Sequence, residues 1–272
     1  MAESPFNHNR FRPAPGSQKP SIRPKAPSGQ ISCRATNPLS LDDDLGKVFL
    51  DEQQAKATTA TRLFRNEELF NALTRVALPA FLENNRSGKF SMWSTGCSSG
   101  EEVYSLAMIA LEAFAKAKRT PMLEAYGTDI NAQRIAEARQ GVYIRPSKDA
   151  FSQTYMRILS NHAQITDHDV YMGDMLRTVC KFTLFDMRKR PKKHTFHFIV
   201  CNHVLQYYDA PGQRHIISNL IAVLRPGGHL YLEGLTNHGL DGTGLVKLPG
   251  VANMYVVDTQ PKVGLTSPLF KK

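Results

Sequence analysis

The apolar residues in the middle of this chain switch period again and again. Phe90–Thr95, Leu123–Thr128 and Phe196–Cys201 are short apolar runs of the length and density of buried strands. Between them the spacing becomes helical. Glu101–Lys118 aligns Val103, Leu106, Ala107, Ala110, Phe114 and Ala117 on one face. Asn131–Arg139 reads as a shorter helix, capped by Asp129 or Asn131 and ended by Gly141. Gln213–Leu224 aligns Ile216, Ile217, Leu220, Ile221 and Leu224. Pro226-Gly227-Gly228 then predicts a sharp turn into a strand, His229–Glu233. A glycine-rich loop over 234–250 leads to a last strand, Val251–Asp258. Strands alternating with helices predict an α/β fold: a mostly parallel sheet, helices on both faces, right-handed crossovers. A ligand then belongs at the carboxyl ends of the strands, here Thr95–Glu101, Asp129, Asp186 and Cys201–Val204.

Two regions fit this alternation less simply. Upstream, Leu45–Lys56 predicts a short helix, Thr58–Arg65 a loop and helix start, and Glu67–Leu82 a helix with Leu69, Phe70, Leu73, Val76, Ala77 and Phe81 near helical spacing. Residues 142–185 hold a helix-like piece, Phe151–Leu159, and strand-like segments at Val170–Met172 and Cys180–Phe185. They predict a small subdomain inserted beside the main sheet. The expected organisation is therefore a tail over 1–44, a helical segment over 45–89, the α/β domain over 90–260 and a short tail over 261–272.

Composition narrows the class. With 272 residues and 42% hydrophobic content the chain can bury a substantial core. No apolar run approaches the roughly 18 residues of a membrane span, and the start lacks a secretory apolar segment. The cysteines Cys33, Cys97, Cys180 and Cys201 form no CxxC pair, and no Cys/His group has zinc spacing. A reducing cytoplasm and no structural metal are expected, with His194 and His197 as ordinary structural residues. The formal charge of +10 is uneven. Residues 1–40 carry six Lys/Arg against one acid, with seven prolines and six serines. That composition predicts a flexible basic tail, either a solvated linker or a contact for an anionic partner, with the prolines opposing an amphipathic targeting helix.

The chemistry concentrates where the first strand ends. Gly96-Cys97-Ser98-Ser99-Gly100 is a turn of small residues that lets a ligand approach the backbone, and Glu101-Glu102 open the next helix. Acids there repel phosphate, so the turn suits a nucleoside with a cationic end rather than a dinucleotide. S-adenosylmethionine, with its ammonium and sulfonium, is such a ligand. Asp129 ends the second strand, 29 residues after Gly100. It could accept both ribose hydroxyls or cap the following helix. After the third strand, His203 could contact adenine, act as a base or serve the structure. Tyr207 and Tyr208 could wall the reaction site or pack beneath the next helix.

Four blocks together resemble the CheR-type chemotaxis receptor methyltransferases. They are Thr61-Arg62-Leu63-Phe64-Arg65, the run Trp93–Ala107, Gly127-Thr128-Asp129-Ile130 with Ala138-Arg139 and Tyr143, and Phe198–Asp209 followed by Pro226-Gly227-Gly228. The resemblance spans about residues 58–258. It implies a Rossmann-like class I methyltransferase fold, with a seven-stranded sheet and an antiparallel last strand. It also implies methyl transfer from S-adenosylmethionine to a protein glutamate. It assigns Thr59, Thr61, Arg65, Gly96, Glu101, Asp129, Asp186, Met187, His203 and Val204 to the cofactor. Within that set Glu101 is the acid facing the methionine part, and Asp186-Met187 lie beside adenine. Arg65 and Tyr207 fall near the reacting centre. Departures from the family pattern are Asn202-His203 in place of Arg-Asn, Asp186-Met187 in place of Asn-Leu, Thr236-Asn237 in place of Ser-Glu, and the loss of most of an N-terminal helical domain.

A glutamate acceptor is already ionised at neutral pH, its solution pKa being about 4.3, so transfer needs alignment and water exclusion more than a base. The expected partner is an acidic protein, such as a chemoreceptor cytoplasmic helix. Nucleic-acid methylation fits poorly, because Cys201-Asn202-His203-Val204 is neither an Asp/Asn-Pro-Pro-Tyr-like nor a Pro-Cys motif. A non-catalytic module that binds S-adenosylmethionine, or an enzyme for another acceptor, is the alternative.

Overall fold

The computed structural model describes residues 61–84, 88–147, 150–192 and 194–258. The expected tails, the helix Leu45–Lys56 and Thr59 lie outside the described residues. Among the described residues, ten strands and seven α-helices follow in chain order: α1 Glu67–Ala72, α2 Leu78–Asn84, β1 Phe90–Thr95, α3 Glu101–Lys116, β2 Leu123–Asp129, α4 Ala132–Gln140, β3 Val142–Ile144, α5 Gln153–His162, β4 Ala163–Ile165, β5 Asp169–Met172, α6 Asp174–Val179, β6 Cys180–Leu184, β7 Phe196–Cys201, α7 Ala210–Ile221, β8 Leu224–Leu232, β9 Leu245–Lys247 and β10 Met254–Val257. The main sheet has the order β6-β2-β1-β7-β8-β10-β9. Its first five strands are parallel, and β10 runs antiparallel to both β8 and β9.

Alternation along the strands builds a core on each face. Phe90 and Met92 of β1, with Phe198 and Val200 of β7, pack into one cluster with Leu106 and Ala110 of α3. Trp93, Ile199 and Cys201 point the other way and meet Ile216, Ile217 and Leu220 of α7. The sheet is thus covered on both sides, as parallel strands require.

Several boundaries differ from the sequence expectation, among them the strand after α7, which begins at Leu224 and runs through Pro226-Gly227-Gly228 rather than starting at His229. A π-helical turn, Leu73–Ala77, separates α1 from α2. Pro79 cannot donate to an α-helical ladder, and Thr74 donates its hydroxyl back to the Phe70 carbonyl (2.8 Å); both favour a widened turn. The helix α7 begins at Ala210, before the expected Gln213, because Asp209 caps it by accepting from Gly212 N–H (2.8 Å). The expected glycine loop contains β9. The inserted piece is smaller than 142–185: β3, β5 and β4 form a separate three-stranded antiparallel sheet, whereas β6 belongs to the main one. Tyr143 of this small sheet donates to the Ser99 carbonyl (2.7 Å), tying the insertion to the turn after β1.

Candidate cofactor and methyl-transfer site

A cleft of about 220 Å³ opens across the carboxyl ends of β6, β2, β1 and β7. The turn after β1 forms its floor. Gly96 has φ +67°, and a Cβ there would lie 2.5 Å from Val204 Cγ2, so the backbone packs directly on the β7 exit. Asp129 fixes the turn from the next strand: Oδ2 accepts Ser98 N–H and Oδ1 accepts Asn131 N–H, both at 2.9 Å. Asn131 in turn caps α4 through Gln133 and Arg134. Asp129 is therefore an anchor of the turn, and Asn131 is the helix cap. An ionised carboxylate has about four acceptor positions, so about two remain for a vicinal diol.

Of the Glu101-Glu102 pair, Glu102 faces the cleft. Glu101 does not line it; the Glu101 carboxylate accepts the Ser99 hydroxyl (2.9 Å). Adjacent helical residues point about 100° apart, and the phase of α3 turns Glu102 inward. Glu102 accepts from Ser94 Oγ and Asn202 Nδ2, both at 2.8 Å. Burial pushes its carboxyl above the ordinary range despite these two neutral donors. A cation in the cleft would stabilise the ionised form. Asn202 adds a second demand: it is 8% exposed, and its Oδ1 is buried without a partner. A buried acceptor of this kind calls for a donor. Glu102 and Asn202 Oδ1 together suit an ammonium group, which fits S-adenosylmethionine.

The segment before α1 forms one wall. Leu63 and Phe64 are buried, and Phe64 stacks on Tyr155 with ring centroids 4.9 Å apart. Phe64 N–H donates to Ser105 Oγ on α3 (2.9 Å). These anchors present Thr61, Arg62 and Arg65 to the cleft. Asn66 extends the wall by donating to Tyr231 Oη (3.2 Å) and Glu233 Oε2 (3.3 Å). On the far wall Asp186 and Met187 follow β6, while His203, Val204 and Tyr207 follow β7. His203 adopts φ +57° and lies 3.6 Å from Glu233 through Nδ1.

Of the set that the family resemblance assigns, the cleft brings together Thr61, Arg65, Gly96, Asp129, Asp186, Met187, His203, Val204 and Tyr207. Glu102, Asn202, Arg62 and Asn66 are additions to it. The second acid of the Glu101-Glu102 pair and the polar Asn202 after a buried strand were the available signals. The described cysteines, Cys97, Cys180 and Cys201, are buried thiols outside any disulfide. Among the described residues no group of three or more His, Cys, Asp or Glu is placed to hold a metal. Nor is any described helix long and apolar enough to cross a membrane.

A Rossmann-like sheet, a glycine turn anchored by the acid of the next strand, and a cleft that fits a cationic nucleoside define an S-adenosylmethionine-dependent methyltransferase. Within that class, the chain belongs to the CheR family: residues 59–237 match the family described as CheR methyltransferase, SAM binding domain. Among its relatives is a chemotaxis protein methyltransferase of Listeria monocytogenes, 31% identical over 189 residues that cover 69% of each chain. A probable chemotaxis protein methyltransferase of Rhizobium etli is 28% identical over 197 residues, 69% of this chain and 73% of the relative. A probable biofilm formation methyltransferase, WspC, of Pseudomonas aeruginosa is 25% identical over 200 residues, 71% of this chain and 46% of the relative.

Proposed function

We propose that this enzyme transfers the methyl group of S-adenosylmethionine to a glutamate carboxylate of a signalling protein in the cytoplasm, a chemoreceptor being the acceptor that its relatives' names suggest. The observation that carries the reading is the charge arrangement of the cleft. Arg62 and Arg65 line one wall, while the carboxylates of Glu102, Asp129 and Asp186 are all held by donors from the protein itself. An acidic acceptor meets positive charge at that wall and needs no base, since its carboxylate is ionised near neutral pH.

The cofactor supplies an electrophilic methyl group on a sulfonium. In this reading Asp129 holds the ribose, Glu102 and Asn202 hold the ammonium, and Gly96 allows close approach. Arg65 orients the acceptor through the oxygen that does not attack, because pairing with the attacking oxygen would weaken it as a nucleophile. Tyr207, on the opposite wall, excludes water and fixes the line of approach. Arg65→Ala and Tyr207→Phe are therefore expected to lower kcat by at least about tenfold while changing S-adenosylhomocysteine affinity less than threefold, the signature of groups that act on transfer geometry. Equal losses in binding and turnover would remove both residues from that role. A wild-type protein that binds cofactor yet labels no acceptor would favour a binding module, the reading prompted by Asn202-His203.

A further inference from the structure

The connection from β6 to β7 carries a second positive surface beside the cleft. It leaves the cleft wall at Met187 and crosses β2 and β1 on the α7 face, where Phe185, Met187 and Phe196 join the core cluster of Ile216 and Leu220. Its sequence runs Arg188-Lys189-Arg190-Pro191-Lys192-Lys193. Residues 187–232 hold seven Lys/Arg against one acid, Asp209, and residues 1–40 hold six against one. These two stretches account for the net charge of +10, and the rest of the chain is close to neutral. The connection is held before any partner arrives: Lys189 N–H donates to the Asp186 carbonyl (2.9 Å), Asn219 Nδ2 donates to the Arg188 carbonyl (2.8 Å), and Pro191 is buried. Nearby acids are already engaged. Asp186 pairs with Arg188 (2.7 Å), Asp209 accepts Gly212 N–H (2.8 Å), and Glu124, which faces His194, pairs with Lys89 (2.9 Å). The side chains of Lys189, Arg190 and Lys192 are exposed.

We propose that Lys189, Arg190 and Lys192 form a docking surface for an acidic protein segment, the one that flanks the residue entering the cleft. The assignment of that segment to the methyl acceptor rests on the reading above. The surface starts where the cleft wall ends, so a chain lying across the cleft mouth meets it next. Acids three and four apart on a helix lie about 5–6 Å from one another, and long Lys and Arg side chains can reach several of them at once. The chemistry of the connection favours carboxylates over other anions. Its apolar residues, Met187 and Pro191, are buried, which leaves no apolar anchor for a bilayer. No Phe, Tyr or Trp lies between Asp186 and Thr195 to stack on a nucleic-acid base. Such a surface touches no reacting atom. It raises the encounter rate and holds the acceptor, and it leaves cofactor binding alone.

The test is fluorescence anisotropy of a labelled, glutamate-rich helical peptide at low ionic strength, with the full-length chain throughout. One variant combines Lys189→Glu, Arg190→Glu and Lys192→Glu. A control combines Lys116→Glu, Lys118→Glu and Lys247→Glu, exposed cations at the end of α3 and on the far edge strand β9. Net charge changes equally in the two. The first should weaken peptide binding by about tenfold or more and the control by less than about threefold. Affinity for S-adenosylhomocysteine should stay within about twofold of wild type in both, because none of the six side chains lines the cleft. Should the triple variant unfold, Lys189→Glu with Arg190→Glu alone is expected to weaken the peptide by about fivefold. Equal losses in variant and control would show that the peptide reads only overall charge, and would overturn the proposal. A folded loop variant that binds like wild type does the same, as does tighter loop-dependent binding of phosphatidylserine vesicles or of an RNA oligonucleotide than of the peptide. Loop-dependent peptide binding by an enzyme that esterifies no glutamate supports the surface and contradicts only the acceptor.

Discussion

Replacing Asp129 with alanine removes three things at once, and the structure separates them. The carboxylate holds Ser98 N–H and Asn131 N–H at 2.9 Å each, and its remaining acceptor positions face the cleft. Losing the two backbone contacts relaxes a turn in which Ser98 itself has φ +50°. At about 0.5–1 kcal/mol each after solvent replacement, they amount to about 1–2 kcal/mol of stability. For a domain of this size that is a fall in Tm of about 2–8 °C. Losing hydrogen bonds between a charged acceptor and the ribose diol costs a further 1.5–3 kcal/mol or so of binding. In affinity for S-adenosylhomocysteine this is about ten- to 150-fold. Asp129→Asn sharpens the test. Its amide must turn an NH2 toward either Ser98 N–H or Asn131 N–H, so the isosteric change should cost nearly as much stability as alanine. Titration calorimetry measures the affinity and scanning calorimetry the Tm. Unchanged affinity in a folded alanine variant would remove Asp129 from the ribose site, and an unchanged Tm in the asparagine variant would refute its role as the anchor of the turn.

Glu102→Gln should stabilise the ligand-free protein while weakening cofactor binding. Burial raises the folded-state pKa of Glu102 above its unfolded value near 4.5, so its contribution favours folding at low pH and turns unfavourable as pH rises through the raised value. Removing the ionisable group should therefore raise Tm at pH 7–8 and leave it little changed at pH 4; a glutamine variant less stable at pH 7 would contradict this. Asn202 can also flip, offering its orphaned Oδ1 to the new amide. His203→Asn should leave Tm unchanged or raise it slightly, because Asn tolerates the left-handed φ of +57° better and the half-exposed contact to Glu233 contributes little. A fall of more than about 3 °C on thermal melting would show that the imidazole is structural.

The central strands were legible because a strand buried on both faces is an uninterrupted apolar run, and β1, β2 and β7 fall within a residue of the expected ends. The caps of α4 were legible for a local reason too: Asn131 and Gly141 act within one turn of the helix they bound. β9 was not, because a three-residue edge strand with Val246 exposed has no period to detect. The β6 strand looked like part of the insertion, since nothing in Cys180–Leu184 reveals that its partner is β2, some fifty residues earlier. In the site, the glycine turn and Asp129 could be read from type and spacing alone. Choosing Glu102 over Glu101 required the helical phase. The pairing of Arg188 Nη2 with Asp186 Oδ2 (2.7 Å) required a loop conformation that no spacing rule encodes.

The most direct test of the proposed acceptor is the chemistry of the product. Purified enzyme, S-adenosylmethionine labelled in the methyl group, and membranes rich in candidate chemoreceptors should yield a labelled protein. Mass spectrometry should place one methyl on a glutamate side chain, and mild alkali should release the label as volatile methanol. Label that survives alkali, or that maps to nitrogen or to a residue other than glutamate, would contradict the carboxylate-ester account while leaving the cofactor site intact.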